Sequence, residues 1–478
     1  MKGKICFYPL FLLIILIFYS CNNEIFDESN IENKSSINKS GEVFTVTPNG
    51  VDDTQNIRDA FADAKAAGSG NTVYLSEGVF YTGLLIIEDF NGYFMGAGKG
   101  STTIISLTGL PCADMMAQEM VPALITFSTG FPKVSDMTIE IVESPCQSYQ
   151  NPWDANQIQS LIATMLIGPH AIDESFDCSG EVPEVEEGHS FIDNVEFKVS
   201  GQNETTYYHI SIGGYTQIND ANCYGWFKTL KGNHTVTNCD FYGTNVTGVD
   251  AFQLVDSKVI IGGSPNNGNN FYTFMAMDAL DNDNTQIEVS YNVMESPIGI
   301  NNLGGLNFIF YGIQYIPLSN YHIHHNKIMA EWFAIANDDF GLFADIKTLN
   351  VVIEQNEFIM DGSNGAIQGW LTKDVLVRNN RFSGTSDLGI YLGYDGFTCS
   401  NWTILGNNFN KLTTSFYPIW LGPDAEDCTV VGGNNKVNVL DEGTNNILTG
   451  VNNQGNPPGP EIREAMAARR ELLKSRRR

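Results

Sequence analysis

A short phrase recurs through the second half of this chain: a strand-like apolar run, then Asn, one further residue, and an apolar or aromatic residue. Its clearest copies are Val351–Phe358 (VVIEQNEF), Val375–Phe382 (VLVRNNRF) and Trp402–Phe409 (WTILGNNF). Ile287–Met294 (IEVSYNVM) and Tyr321–Ile328 (YHIHHNKI) are weaker copies. The marker residues Asn292, Asn326, Asn356, Asn380 and Asn407 are separated by 34, 30, 24 and 27 residues, with a sixth expected near Asn435. A repeat of this length, built of short β-branched strands and Asn/Gly turns without helical periodicity, implies a β-solenoid. One coil cannot bury its apolar face alone, so coils stack and share a long core. Asn suits the bend because it tolerates left-handed backbone and can bond its equivalent one coil away.

Composition agrees. Only 17% of the 478 residues are charged and 46 are Gly. That length supports a sizeable core, and an unbroken solenoid of this size can be one domain, read here as a monomer. Net charge is −29, and seven of the 26 basic residues fall in the last sixteen positions, so the body is more acidic still. A nucleic-acid partner needs a basic stripe and is excluded on this ground. An acidic surface serves solubility; the sharper alternative is clustered carboxylates holding Ca²⁺.

Residues 1–21 read as an export signal. Lys2 and Lys4 precede the apolar run Ile5–Phe18, too short to span a bilayer comfortably. The ending Phe18-Tyr19-Ser20-Cys21 resembles a bacterial lipoprotein signal. That resemblance implies lipidation of Cys21 and an anchor in the outer membrane; ordinary cleavage and secretion is the alternative. Residues 22–42 are polar and read as a solvated tether. Seven cysteines follow the signal, at 112, 146, 178, 223, 239, 399 and 428. No CxxC or His-rich spacing points to zinc, and the plain expectation for several of them is a buried thiol inside the solenoid.

The solenoid also has a start. Asp53-Thr54-Gln55 is placed to cap a helix over Asn56–Ala67, with Ile57, Ala60, Phe61 and Ala64 on one face. Gly68–Gly70 ends it, Thr72–Leu75 reads as a strand, and Ser76-Glu77-Gly78 turns the chain into Val79-Phe80-Tyr81. This opening, VDDTQNIRDAFADAKAAGSGNTVYLSEGVFY, and the following FMGAGKGSTTII (94–105) resemble the pectate-lyase superfamily. The resemblance implies an all-β fold: a right-handed parallel β-helix over residues 43–450 with an N-terminal capping helix. The same fold hosts lyases, hydrolases, epimerases and non-catalytic proteins, so it names no chemistry. Leu110–Met120 and Ser144–Glu187 lack the phrase and read as projecting loops. Residues 451–478 read as a Pro/Gly linker followed by a basic helix, Glu461–Lys474, expected to shield the solenoid end or to lie free.

Aligning the marker residues predicts one inward column, Val289, Ile323, Ile353, Val377 and Ile404. The next positions then form an outward file, Ser290, His324, Glu354, Arg378 and Leu405. A second outward file runs Lys327, Glu357, Arg381. These files are either surface charge ladders or a site in which His324 and Arg378 grip a uronate carboxylate while Glu354 holds their geometry. On the following strand, Asp278, Asn302, Asp338, Trp370 and Tyr394 are aligned at the strand end, with Asp339 and Asp395 one position later and Tyr391 and Trp420 nearby. Sugar cleavage uses two carboxyls, one as proton donor and one as base or nucleophile, with aromatic rings against the sugar faces. Asn337-Asp338-Asp339 weakly resembles the Asp-Asp motif of polygalacturonase-like hydrolases, without the Gly-His-Gly and Arg-Ile-Lys that go with it. Acidic residues filling polar turns is the plainer account of any single Asp. The chain is therefore expected to cleave an acidic polysaccharide as a lyase or glycoside hydrolase, with a non-catalytic glycan-binding or adhesive surface lipoprotein as the alternative.

Overall fold

The computed structural model describes residues 41–108, 123–142, 163–167, 188–200, 208–224, 226–242, 249–251, 258–272, 275–276, 286–295, 306–309, 321–330, 335–338, 351–362, 365–370, 372–393, 396, 398–432 and 437–453. The signal run with Cys21, the tether up to residue 40, Asn435 and the tail helix lie outside them.

Every strand pairing among the described residues is parallel, and each strand pairs with the equivalent strand of the coils before and after. The expected parallel β-helix is the fold. The first sheet runs unbroken from Val43–Val46 to Ile447–Thr449 and carries the recurring phrase: Gln286–Ser290, Tyr321–His324, Val351–Glu354, Val375–Arg378 and Thr403–Leu405 are successive members. The second sheet takes the strand after the marker Asn, as in Val293–Glu295, Lys327–Ala330 and Glu357–Asp361. The third takes Leu306–Ile309, Ile335–Asp338, Gly365–Trp370 and the end of Arg381–Leu392.

Apolar alternation along each strand sends every second side chain inward. Val289, Ile323, Ile353, Val377 and Ile404 are in register and buried, as the alignment requires. Beyond the bend, Phe358, Phe382 and Phe409 stack at 4.9 and 4.4 Å between ring centres. The helix Thr54–Ala66 buries Ile57, Ala60, Phe61 and Ala64, and Phe61 lies 4.8 to 6.0 Å from Phe90, Phe94 and Phe127. Asp53 does not cap this helix with its side chain. It is buried and accepts from the backbone N–H of Asn49 and Tyr81, tying the helix start to the strand Gly78–Thr82. Asp52 instead accepts from Thr54.

The marker Asn residues form a ladder. The backbone N–H and Nδ2 of Asn292 both donate to Oδ1 of Asn326, and the same pattern links Asn326 to Asn356, Asn356 to Asn380 and Asn380 to Asn407, at 2.9–3.0 Å. Each Nδ2 also donates to a carbonyl of the preceding coil, as Asn356 does to Ile323 at 2.9 Å. Asn269 adds an earlier rung that the phrase did not reveal. The left-handed residue is not the Asn but the one before it: Tyr291, His325, Gln355, Asn379 and Gly406 have φ of 59, 55, 55, 56 and 64°. An Asn aimed inward could not form the ladder and also make the outward corner, so the two duties fall on neighbouring residues.

One further sequence expectation changes, and the expectation of buried thiols holds at four cysteines. Ala163–Ile167, inside a segment read as loop, is a strand paired with Ala123–Phe127; all five of its residues are buried, so it shows no alternation to read. Cys223, Cys239, Cys399 and Cys428 are free buried thiols, and burial pushes Cys239 and Cys399 up to about 12 and Cys428 to about 11. Cys112, Cys146 and Cys178 lie outside the described residues. Among the described residues, no helix is long and apolar enough to cross a membrane.

Replacing Asn356 by Ala orphans the buried N–H of Asn326 and the carbonyl of Ile323. At about 1–3 kcal/mol for each of these two unsatisfied buried groups, the urea midpoint should fall by the equivalent of about 2–6 kcal/mol. A change under about 0.5 kcal/mol would show that the ladder is not a major support.

Candidate functional site

The third sheet places part of the expected strand-end group. Asp338 is the last residue of Ile335–Asp338 and pairs with Trp370 on the next coil. The pairing sets Ile309 opposite Asp338 on the preceding coil, where Asn302 was expected. The strand of that coil is Leu306–Ile309, and its apolar spacing is repeated in sequence by the upstream Ile298-Gly299-Ile300. Gly369 pairs with Leu392, so continuing the register brings Trp370 to Gly393, one residue short of Tyr394. Asp278, Asn302, Asp339, Tyr394 and Asp395 lie outside the described residues. Tyr391 and Trp420 are in register and stacked at 5.3 Å, yet both are buried, with Leu388 and Leu440 beside them. Trp420 Nε1 donates to Glu442 at 3.0 Å. These two rings pack the wall and offer no open face to a sugar.

The first sheet carries a fully described array on its outer surface. Ser290, His324, Glu354, Arg378 and Leu405 form one file, as the alignment predicts. Glu288 and His322 belong to the neighbouring file, two residues earlier on each strand. One contact runs along the first file, and the two histidine contacts run diagonally between files. Glu354 accepts from Arg378 Nε through Oε2 at 2.6 Å, and its Oε1 lies 2.8 Å from His322 Nε2. His324 Nε2 faces Glu288 Oε1 at 3.3 Å, and Ser290 Oγ donates to the same oxygen at 2.8 Å. Glu354 therefore holds Arg378 and His322; the partner of His324 is Glu288, which the sequence analysis did not single out. The imidazoles of His322 and His324 stand 4.0 Å apart between the two carboxylates. At the bend, His324 Nδ1 lies 2.8 Å from His325 Nδ1, and the ring of Tyr291 stacks on His325 at 4.8 Å and 17°. The second file, Lys327, Glu357 and Arg381, is in register and exposed.

The surroundings set the charges. Burial pushes the carboxyl of Glu354 up, but hydrogen bonds from Arg378 and His322 outweigh it and hold it below the ordinary range. Burial opposes ionisation of Glu288 as well, and His324 and Ser290 prevail, lowering it. His322 is held below the usual imidazole range by burial and then by His324, with Glu354 opposing. His325 is lowered by burial and then by His324. The array therefore has ionised carboxylates and reluctant imidazolium ions. It can accept protons and bind donors, but neither carboxyl is a proton donor near neutrality. Among the described residues, no three His, Cys, Asp or Glu gather as a metal site, so none is assigned to Ca²⁺.

No family model matches this chain, and no curated protein matches it in sequence. Solved structures align with it over most of its length. The A-module of a mannuronan C-5 epimerase from Azotobacter vinelandii aligns over 85% of this chain and 96% of its own, at 14% identity and a TM-score of 0.40. A family 28 exopolygalacturonase from Yersinia enterocolitica aligns over 87% of this chain and 79% of its own, at 10% identity and 0.36. A surface protein and adhesin of Streptococcus pneumoniae aligns over 87% and 98%, at 12% and 0.31. Likeness at these identities carries no residue correspondence.

All four shifts carry the same sign for stability. Carboxyls and imidazoles depressed by folding contribute stability that is present above their unfolded pKa and lost as pH falls through the folded one. The thermal midpoint should thus decline from neutral pH through the imidazole range and further through the carboxylate range. In Glu354→Gln, loss of the carboxylate that favours imidazolium at His322 should lower the His322 pKa further, read by NMR titration. An unchanged or higher value would contradict the described contact.

Proposed function

We propose that this chain is an exported carbohydrate-active protein, tethered to the outer membrane through lipid on Cys21, that holds an acidic polysaccharide along its coils and cleaves it as a lyase or glycoside hydrolase. The observation that carries this proposal is the gathering of three of the seven histidines within residues 322–325, beside Arg378, on a chain of net charge −29. An acidic body repels a polyuronate over most of its surface. A local set of imidazoles and a guanidinium on an outward file supplies the place where carboxylate groups can dock. Successive coils rise by about 4.8 Å, so one file offers regularly spaced partners to a polymer lying along it. Asp338, paired with Trp370 on the third sheet, supplies the acid and ring that cleavage would use.

One observation favours the second proposal, a glycan-binding surface lipoprotein without catalysis. Glu288 and Glu354 are both engaged by hydrogen bonds and held ionised, so the array on the first sheet binds without donating protons.

A panel of polysaccharides, scored separately for new reducing ends and for unsaturated products, distinguishes these. Cleavage of a uronate polymer that is abolished by Asp338→Asn and by Asp339→Asn, with folding intact, is the expected outcome. Full activity in both variants would remove the strand-end acids from the mechanism. Binding with neither product would leave the non-catalytic proposal.

A further inference from the structure

The geometry points to a proton-coupled binding site for a carboxylate-bearing glycan on the outer face of the first sheet, in which Glu288, His324 and His325 form one relay and Nε2 of His325 meets the ligand. The ligand class rests on the glycan proposal above; the relay does not.

The proton positions follow by elimination. Glu288 is ionised and can only accept, so Nε2 of His324, 3.3 Å from it, carries hydrogen in every favourable state. The two Nδ1 atoms of His324 and His325, 2.8 Å apart, can hold only one proton between them. With both imidazoles neutral, that proton resides on His325 and is donated to His324, which leaves the lone pair of His325 Nε2 outward. One added proton enters at this Nε2. The shared proton then shifts to His324, and the positive charge comes to rest against Glu288. Only N–H bonds are made and broken, and the outer nitrogen has changed from acceptor to donor.

The neighbours make this change matter to an anion. The relay is faced by Glu288 and Tyr291 from the preceding coil, His322 on its own strand, and Glu354 with Arg378 on the following coils. With all imidazoles neutral, two carboxylates and one guanidinium leave an excess negative charge. Protonating the relay cancels it, and protonating His322 as well reverses it. Burial and then the adjacent ring lower the proton affinity of His325 in the free protein, and a bound carboxylate offsets that and draws the proton in.

An independent feature marks the same spot. The left-handed position of this bend is filled by Asp136, Asn194, Asp220 and Asn238 in earlier coils and by Asn379 and Gly406 in later ones. These are residue types that tolerate the conformation. Among the described residues only Tyr291, His325 and Gln355, on three consecutive coils, break the pattern. Two of the three are parts of the relay or brace its ring, which supplies a reason to accept the backbone cost. For Gln355 the structure gives no such role.

The test is calorimetric binding of polygalacturonate to the full chain between about pH 5 and pH 8, the range in which imidazole titrates. Affinity should rise by up to about tenfold per pH unit as pH falls, the slope for one linked proton, with proton uptake on binding and no such trend for neutral dextran. His325→Gln and Glu288→Gln should each flatten the slope. Gln already occupies the same left-handed position at 355, so the first variant keeps the backbone. In the ligand-free chain, ¹⁵N shifts should show neutral His325 as the Nδ1–H tautomer, a preference lost in Glu288→Gln. Binding that is absent, independent of pH, or unchanged in slope in both variants overturns the proposal, as does an Nε2–H tautomer. Cleavage products are a separate readout: their absence alongside pH-dependent binding counts against catalysis alone, and cleavage without pH-dependent binding counts against the relay alone.

Discussion

The structure depends on one recurring arrangement: a left-handed residue that turns the chain outward, followed by an Asn whose amide is shared between coils. The buried Asn cannot reach water, so each polar group on it must find a partner within the coil stack. It finds them in the next Asn and in the backbone of the preceding coil. That requirement fixes the vertical alignment of successive coils. A strand shifted by one residue would exchange its inward and outward faces, so the ladder also decides which side chains reach solvent. The outward file of His324, Glu354 and Arg378 exists because Asn326, Asn356 and Asn380 are stacked two residues further on.

Much of this was legible in the residues. The strand phrase gave the inward column, the ladder and the first outward file, because all three follow from a period of two measured from a marker that must be buried. The capping helix was legible through its apolar spacing. The failures have physical causes. Aligning Asn302 with Asp338 was wrong because two apolar stretches on that coil fit the core equally well and only hydrogen bonding chooses between them. Ala163–Ile167 was hidden because a strand buried on both faces has no alternation. Glu288, His322 and His325 were overlooked because their contacts run diagonally between files and around the bend. The run His322-Ile323-His324-His325 was the available signal, together with a His where the other coils prefer Asn, Asp or Gly.

The two outward surfaces divide the chemistry. On the first sheet, carboxylates are held by hydrogen bonds from Arg and His and stay ionised, which suits holding a ligand and exchanging a proton through imidazole. On the third sheet, Asp338 ends a strand and pairs with Ile309 and Trp370 on the neighbouring coils. Both sheets are spaced by the same coil rise, so a ligand that follows the solenoid axis meets equivalent positions in sequence on either sheet.

The central claim is that one register runs through these coils and orders the outward files. Engineered disulfides test it most directly, because a bond forms only between Cα atoms within about 4.4–6.8 Å and with suitable side-chain direction. Lys327 and Glu357 are exposed, directly paired and thirty residues apart in sequence. The double variant Lys327→Cys with Glu357→Cys should oxidise to a single cross-link, identified by peptide mass mapping, while Lys327→Cys with Asn356→Cys should not. Efficient cross-linking of the second pair and not the first would place the coils one residue out of step and would undo the files on which both surfaces rest.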